Sequence, residues 1–192
     1  MKRNYFKNFF GHLYTITHHR HLVIKYGFKV GIGFQSLRHD LSKYSLAEFF
    51  PGVKYYSGTH SPTQTEREDI GASLAWMHHK GRNKHHHEYW SDFNMYDKGY
   101  TPVEMPIRYV KEMFCDRIAA SKVYKKKSYT DASALEYFMG KKHVEKMHPK
   151  TAELIESWLV MLKEKGEKET CKYIKKISNK QDKTFNMAKG GM

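Results

Sequence analysis

His39 and Asp40 stand side by side in the stretch HDLSKYS at 39–45, and a neighbouring imidazole and carboxylate offer a metal ion one nitrogen and one hard oxygen ligand. The pair follows an apolar run that ends at Leu37. Ser45, with Glu48 three residues on, reads as a capping box that starts a new helix, which places the pair beside a tight connection. A second concentration of imidazoles is AWMHHKGRNKHHHEYW at 75–90, where His78, His79, His85, His86 and His87 crowd together. Asp116 completes the candidates. It shares a helix face with Tyr109, Met113 and Ala120, and a carboxylate on an apolar stripe must be paired or metal-bound. Its partner is either a metal or an arginine, with Arg117 and Arg82 to hand.

Helical spacing has to bring these groups together. Tyr5, Phe9, His12, Ile16, His19, Val23 and Tyr26 recur at alternating steps of four and three, so a helix over about 4–26 buries His12 and His19 and leaves His18 and His21 in solvent. A shorter helix is expected over 27–38, weakened by Gly31 and Gly33, and another from Ser45 to about Phe50, ended by Pro51-Gly52. After a loop, Ser61-Pro62 with Gln64 starts a helix that reaches at least His79. If it continues through Gly81, Ala72, Trp76, His79, Asn83, His86 and Trp90 share one seam; if Gly81 breaks it, only His79 is placed inward by that pattern. Residues 91–105 read as a long polar loop able to cover the site. Pro106 opens the helix that carries Asp116, ending near Tyr124; further helices follow from Asp131, from the HPKT of 148–151 to about Lys163, and over 166–178.

Almost nothing reads as strand, so the expected fold is all-α: one domain over 1–178, with a metal-site core at about 10–125 and a disordered, lysine-rich tail over 179–192. A chain of 192 residues with 15% aromatics has enough apolar surface for a core, and its formal charge of +14 favours polyanions such as nucleotides or nucleic acid. Cys115 and Cys171 form no CxxC and no disulfide framework, the N-terminus does not read as a signal peptide, and no apolar run is long enough to span a bilayer. A cytoplasmic protein without a membrane partner is expected. No Gly-rich phosphate loop and no Ser/His/Asp set stands out.

Taken in order, His19, His39-Asp40, His79, His85/His86 and Asp116 resemble the ligand order of the HD-domain superfamily of metal-dependent phosphohydrolases. That family presents a His, an HD pair and a distal Asp to one metal, and some members add histidines for a second. The resemblance covers about residues 10–125 and implies an HD-domain-like helical bundle with a C-terminal helical extension. His86-His87-Glu88 is similar to the HHE of the cyclic-dinucleotide phosphodiesterases of that superfamily, but their Gly-Tyr-Pro is met only in part by Gly99-Tyr100-Thr101-Pro102. HDLSKYS, NKHHHEYW and MPIRYVKEM also resemble a family of small bacterial and phage proteins without an assigned activity.

The function this resemblance implies is hydrolysis of a phosphorylated small molecule or nucleotide with one or two divalent transition ions (Fe, Mn, Zn, Ni or Co). His19, His39, Asp40 and Asp116 would hold the first, and Asp40 would bridge to a second on His79 with His86 or His85. Lys43 and Arg82 are the candidates for neutralising phosphate charge, and His12, Glu88 and Asn83 for orienting ligands by hydrogen bonds. Two other functions fit the same residues: a dinuclear iron oxygenase of HD type, and a basic nucleic-acid-binding protein that is no enzyme.

Overall fold

The computed structural model describes residues 4–140 and 146–180, so the expected disordered tail falls, from 181 onward, outside the described residues. The fold is all-α. Along the chain run α1 (Tyr5–Val30), α2 (Gly33–Ser36), α3 (Leu46–Lys54), α4 (Pro62–Ile70), α5 (Leu74–Lys80), strands β1 (Ser91–Asn94) and β2 (Gly99–Pro102), then α6 (Ile107–Lys125), α7 (Ser133–Gly140) and α8 (Pro149–Lys176).

The frame is α1, α6 and α8 packed on one another. Asn4 starts α1 by accepting the Lys7 N–H at 3.0 Å, and the helix buries His12, Ile16, His19, Val23 and Tyr26, the expected stripe. Tyr5 and Phe9, at the head of that stripe, remain exposed at 56% and 37%. Gly31, at φ 82°, ends α1 in the left-handed region that favours glycine. The main core joins Val23, Val30, Phe114, Ile118, Ile155 and Leu162, with Phe114 set edge-on to Trp158 at 6.1 Å. Buried Lys111 of α6 donates from Nζ to Val30 O at 3.3 Å and to Ile177 O at 2.8 Å, satisfying carbonyls at the ends of both α1 and α8.

Local signals mislead at several boundaries, each time because packing or a single glycine overrides them. Pro51-Gly52 does not end α3, which continues to Lys54 and lays Phe49 and Val53 against Ile16 of α1. Losing one backbone donor at Pro51 is outweighed by that burial. Ser45 does cap α3 in position, yet its side chain makes no capping bond and Glu48 turns to histidines instead. The helix expected from Ser61 to His79 is two helices, broken at Gly71 with φ 78°, and Gly81 ends α5. Residues 91–102 are an antiparallel hairpin with Ser91 opposite Pro102. The last two expected helices form one element with a kink at Gly166, whose φ of 75° lies outside helical space.

Candidate metal centre

The centre is built on an unusual backbone. Asp40 lies in the left-handed region at φ 52°, a conformation that a buried non-glycine residue holds only when its surroundings enforce it. Its carboxylate is buried, and neither oxygen receives a well-aligned hydrogen bond. Lys43, one turn on with Nζ 2.6 Å from Oδ2, offsets part of the charge.

Around each oxygen stands a separate group. On one side, Oδ2 lies 3.3 Å from His39 Nε2 and 3.8 Å from His19 Nε2. Asp116 Oδ1 lies 3.0 Å from His19 Nε2 and 3.7 Å from His39 Nε2, and those two nitrogens are 3.4 Å from each other. On the other side, Oδ1 lies 3.3 Å from His79 Nε2 and 3.5 Å from His85 Nε2, with His86 in the same group. Donors about 2.1 Å from a common ion stand at most about 4.2 Å apart, so every one of these separations suits ligands of one cation, and Asp40 is shared by both sets.

The histidines are aimed from behind. The Glu112 carboxylate, able only to accept, takes the Nδ1–H of His39 at 2.9 Å and faces Nδ1 of His85 at 3.4 Å. Glu48 does the same for His79 at 2.7 Å and for His78 at 2.6 Å. Asn83 donates to Ser42 Oγ at 2.8 Å and to His79 O at 2.8 Å, steadying that ring. A proton fixed on Nδ1 leaves the Nε2 lone pair pointing at the ligand position.

The electrostatics favour a cation here. Burial alone would raise the Asp40 and Asp116 carboxyls, yet adjacent histidines, with Lys43 beside Asp40, hold both well below the usual carboxylate range. Burial likewise opposes a charged His39, but Asp40, Asp116 and Glu112 raise its pKa well above the ordinary value. The carboxylates thus stabilise positive charge at His39, where a divalent ion could replace the proton. His19 and His86 are pushed down, chiefly by burial, which leaves neutral rings suited to coordination. Glu112, despite a burial effect in the opposite direction, is held at about 2 by its two histidines.

A cavity of about 780 Å³ opens onto the centre, its wall including His19, Lys43, His79, His86 and Asp116. The structure therefore brings together His19, His39, Asp40, His79, His85, His86 and Asp116, with Lys43 and Asn83 beside them. Asp116 meets His19 rather than an arginine. The remaining expected residues fall elsewhere. Arg82 is exposed and rests on His78 O at 3.4 Å. His12 reaches the cavity wall without a hydrogen bond to a ligand, its ring lying against Phe49 and the bare backbone of Gly52. Glu88 pairs with His87 at 3.2 Å. Sequence reasoning missed Glu48, which was taken for a helix cap, and Glu112, although Glu112 stands one helical turn before Asp116 on the same face.

Fold and site together define an all-α protein with buried His/carboxylate clusters able to hold a metal ion. Residues 8–161 match the model of a family of unknown function, DUF5662, and the chain belongs to that family. The match takes in α1 through the first half of α8 and with them every candidate ligand. No curated protein and no solved structure matches the chain.

Proposed function

We propose that the chain is a metal-dependent phosphohydrolase of the HD-domain type, acting on a phosphate ester or nucleotide. The observation that carries this reading is the Asp40 carboxylate, buried without a well-aligned hydrogen bond and facing a separate histidine group through each oxygen. Divalent transition ions, among Fe, Mn, Zn, Ni and Co, would supply Lewis acidity, lowering the pKa of a water and polarising a phosphoryl oxygen. The chain's part is to place and insulate. His19, His39 and Asp116 form one half of the cradle and His79, His85 and His86 the other, while Glu112 and Glu48 keep the rings turned inward. Lys43 stands on the cavity wall, where its charge can meet a phosphoryl oxygen as well as Asp40. A nitrogen-rich second half also suits iron, which keeps the oxygenase as the second reading; dioxygen consumption separates the two.

The test is elemental analysis of protein purified without a histidine tag or added metal, followed by hydrolysis assays on nucleoside monophosphates and p-nitrophenyl phosphate. The expected result is up to two transition ions per chain and turnover that His39→Ala or Asp40→Ala abolishes. His18→Ala and His21→Ala, on the exposed face of α1, should leave both intact. Well under one ion per chain after reconstitution would overturn the metal reading. One ion would remove the bridged pair and leave a mononuclear site.

A further inference from the structure

Arg117 follows Asp116 on α6 and lines the same cavity as Lys43, His19 and His79, yet the centre described above makes no use of it. A guanidinium carries five N–H donors and a permanent charge. Here its contacts are a long one from Nη2 to Met113 Sδ at 3.7 Å and the face of the Phe138 ring 4.9 Å away, while Nε is sealed from solvent with no acceptor. Among the described residues no carboxylate lies within ion-pairing distance of it. The two nearest in sequence and electrostatic reach are engaged: Asp116 holds His19, and Glu88 pairs with His87. Of the other cations on this wall, Lys43 has Asp40, Lys125 has Glu136, and Arg67 lies over the Trp76 ring. Arg117 is partly buried, with its Nε sealed, and a cation in that setting without a counter-ion is unfavourable enough to favour an anion that enters the cavity.

We propose that Arg117 is the anion receptor of this cavity, taking a phosphate group of the ligand on its guanidinium edge and selecting phosphorylated molecules over neutral ones of the same size. The planar fork of an arginine matches two phosphate oxygens at once, which a lysine does not. The cavity, at about 780 Å³, has room for the organic part of a small metabolite as well. As an assignment of substrate selectivity this deepens the phosphohydrolase reading and rests on it; as a statement about binding it can be tested without turnover.

The experiment titrates inorganic phosphate, adenosine 5′-monophosphate and adenosine into the full chain, metal-loaded and chelator-stripped, and compares wild type with Arg117→Met and Arg117→Lys by calorimetry and thermal melts. Wild type should bind both phosphates and melt higher in their presence, with adenosine far weaker. Arg117→Met should lose at least tenfold in affinity for both phosphates, keep its metal stoichiometry, and melt no lower than wild type in phosphate-free buffer, because an uncompensated charge has been removed. Arg117→Lys should fall between the two, which keeps the test open if the Met variant does not fold. Preference for the nucleotide over inorganic phosphate would place the phosphate on an organic ligand; equal binding would place it as a free ion, and either supports the receptor. Unchanged phosphate affinity in a folded Met variant would overturn it, as would a large loss of melting temperature without phosphate, the mark of a structural arginine. Phosphate binding through Arg117 with no ester hydrolysed would sink the hydrolase and leave the receptor standing; hydrolysis with an unchanged KM in the Met variant would do the reverse.

Discussion

At the scale of single residues, the centre depends on carboxylates that hold its histidine rings from behind. Glu112 is the clearest case, since one side chain accepts from His39 and faces His85 and so couples the two halves of the cradle. Glu112→Gln keeps the volume and removes the charge; metal affinity should fall by about 10–100-fold in a competition titration, with the fold retained. A loss below threefold would mean the rings are held by packing alone. His12 supports a prediction about pH. Burial first, then Lys43, lowers its pKa from 6.5 to about 4. The folded ring stays neutral where the unfolded chain takes up a proton, so its penalty is absent above about pH 6.5 and grows as pH falls toward 4. Between pH 7 and 5, His12→Gln should remove about 2 kcal/mol of the wild-type loss of unfolding free energy, measured by urea titration at both pH values.

Among the elements, the join between α1 and α3 is the least forgiving. A Cβ at Gly52 would collide with the His12 ring, so α3 can approach α1 there only as bare backbone. Gly52→Ala should cost about 1–3 kcal/mol in unfolding free energy, and adding His12→Ala should recover part of it, because the clash is between those two positions. Additive losses in the double variant would refute the contact. The start of α5 is fixed by Ser73, whose Oγ accepts the Trp76 N–H at 3.0 Å and donates to buried Glu66 at 2.5 Å.

Over the whole molecule, the candidate ligands come from α1, the turn after α2, α5, the turn after it, and α6, so a bound ion would cross-link elements that are otherwise joined only by non-covalent packing and side-chain hydrogen bonds. An ion that binds only the folded chain stabilises it by about 2.7 kcal/mol at a hundred times its Kd. Stripping with a chelator should therefore lower Tm by several degrees, and restoring the metal should reverse the shift; the Asp40→Ala variant should show neither. A chelator-insensitive melt in a protein shown to contain metal would move the ion away from this centre.

Much of this was legible in the chain itself. The 3.6-residue recurrence of apolar residues marked α1, α6 and the first part of α8, and the inward phase of His12, His19 and Asp116, because the face of a long regular helix is a local property of spacing. The residues that gather into the candidate clusters were likewise visible in their chemistry and order. Packing decided what spacing could not. Gly81 ended α5, the second of the two alternatives its position left open, yet Asn83, His85 and His86 still reached the centre, through a turn whose path no periodicity encodes. His87 was set aside by its pairing with Glu88, Glu48 became a histidine holder instead of a helix cap, and Arg82 was left in solvent while Arg117 took the cavity wall. A side chain on a short or irregular segment is oriented by whatever surface it lands on, and that surface exists only after distant parts of the chain have met.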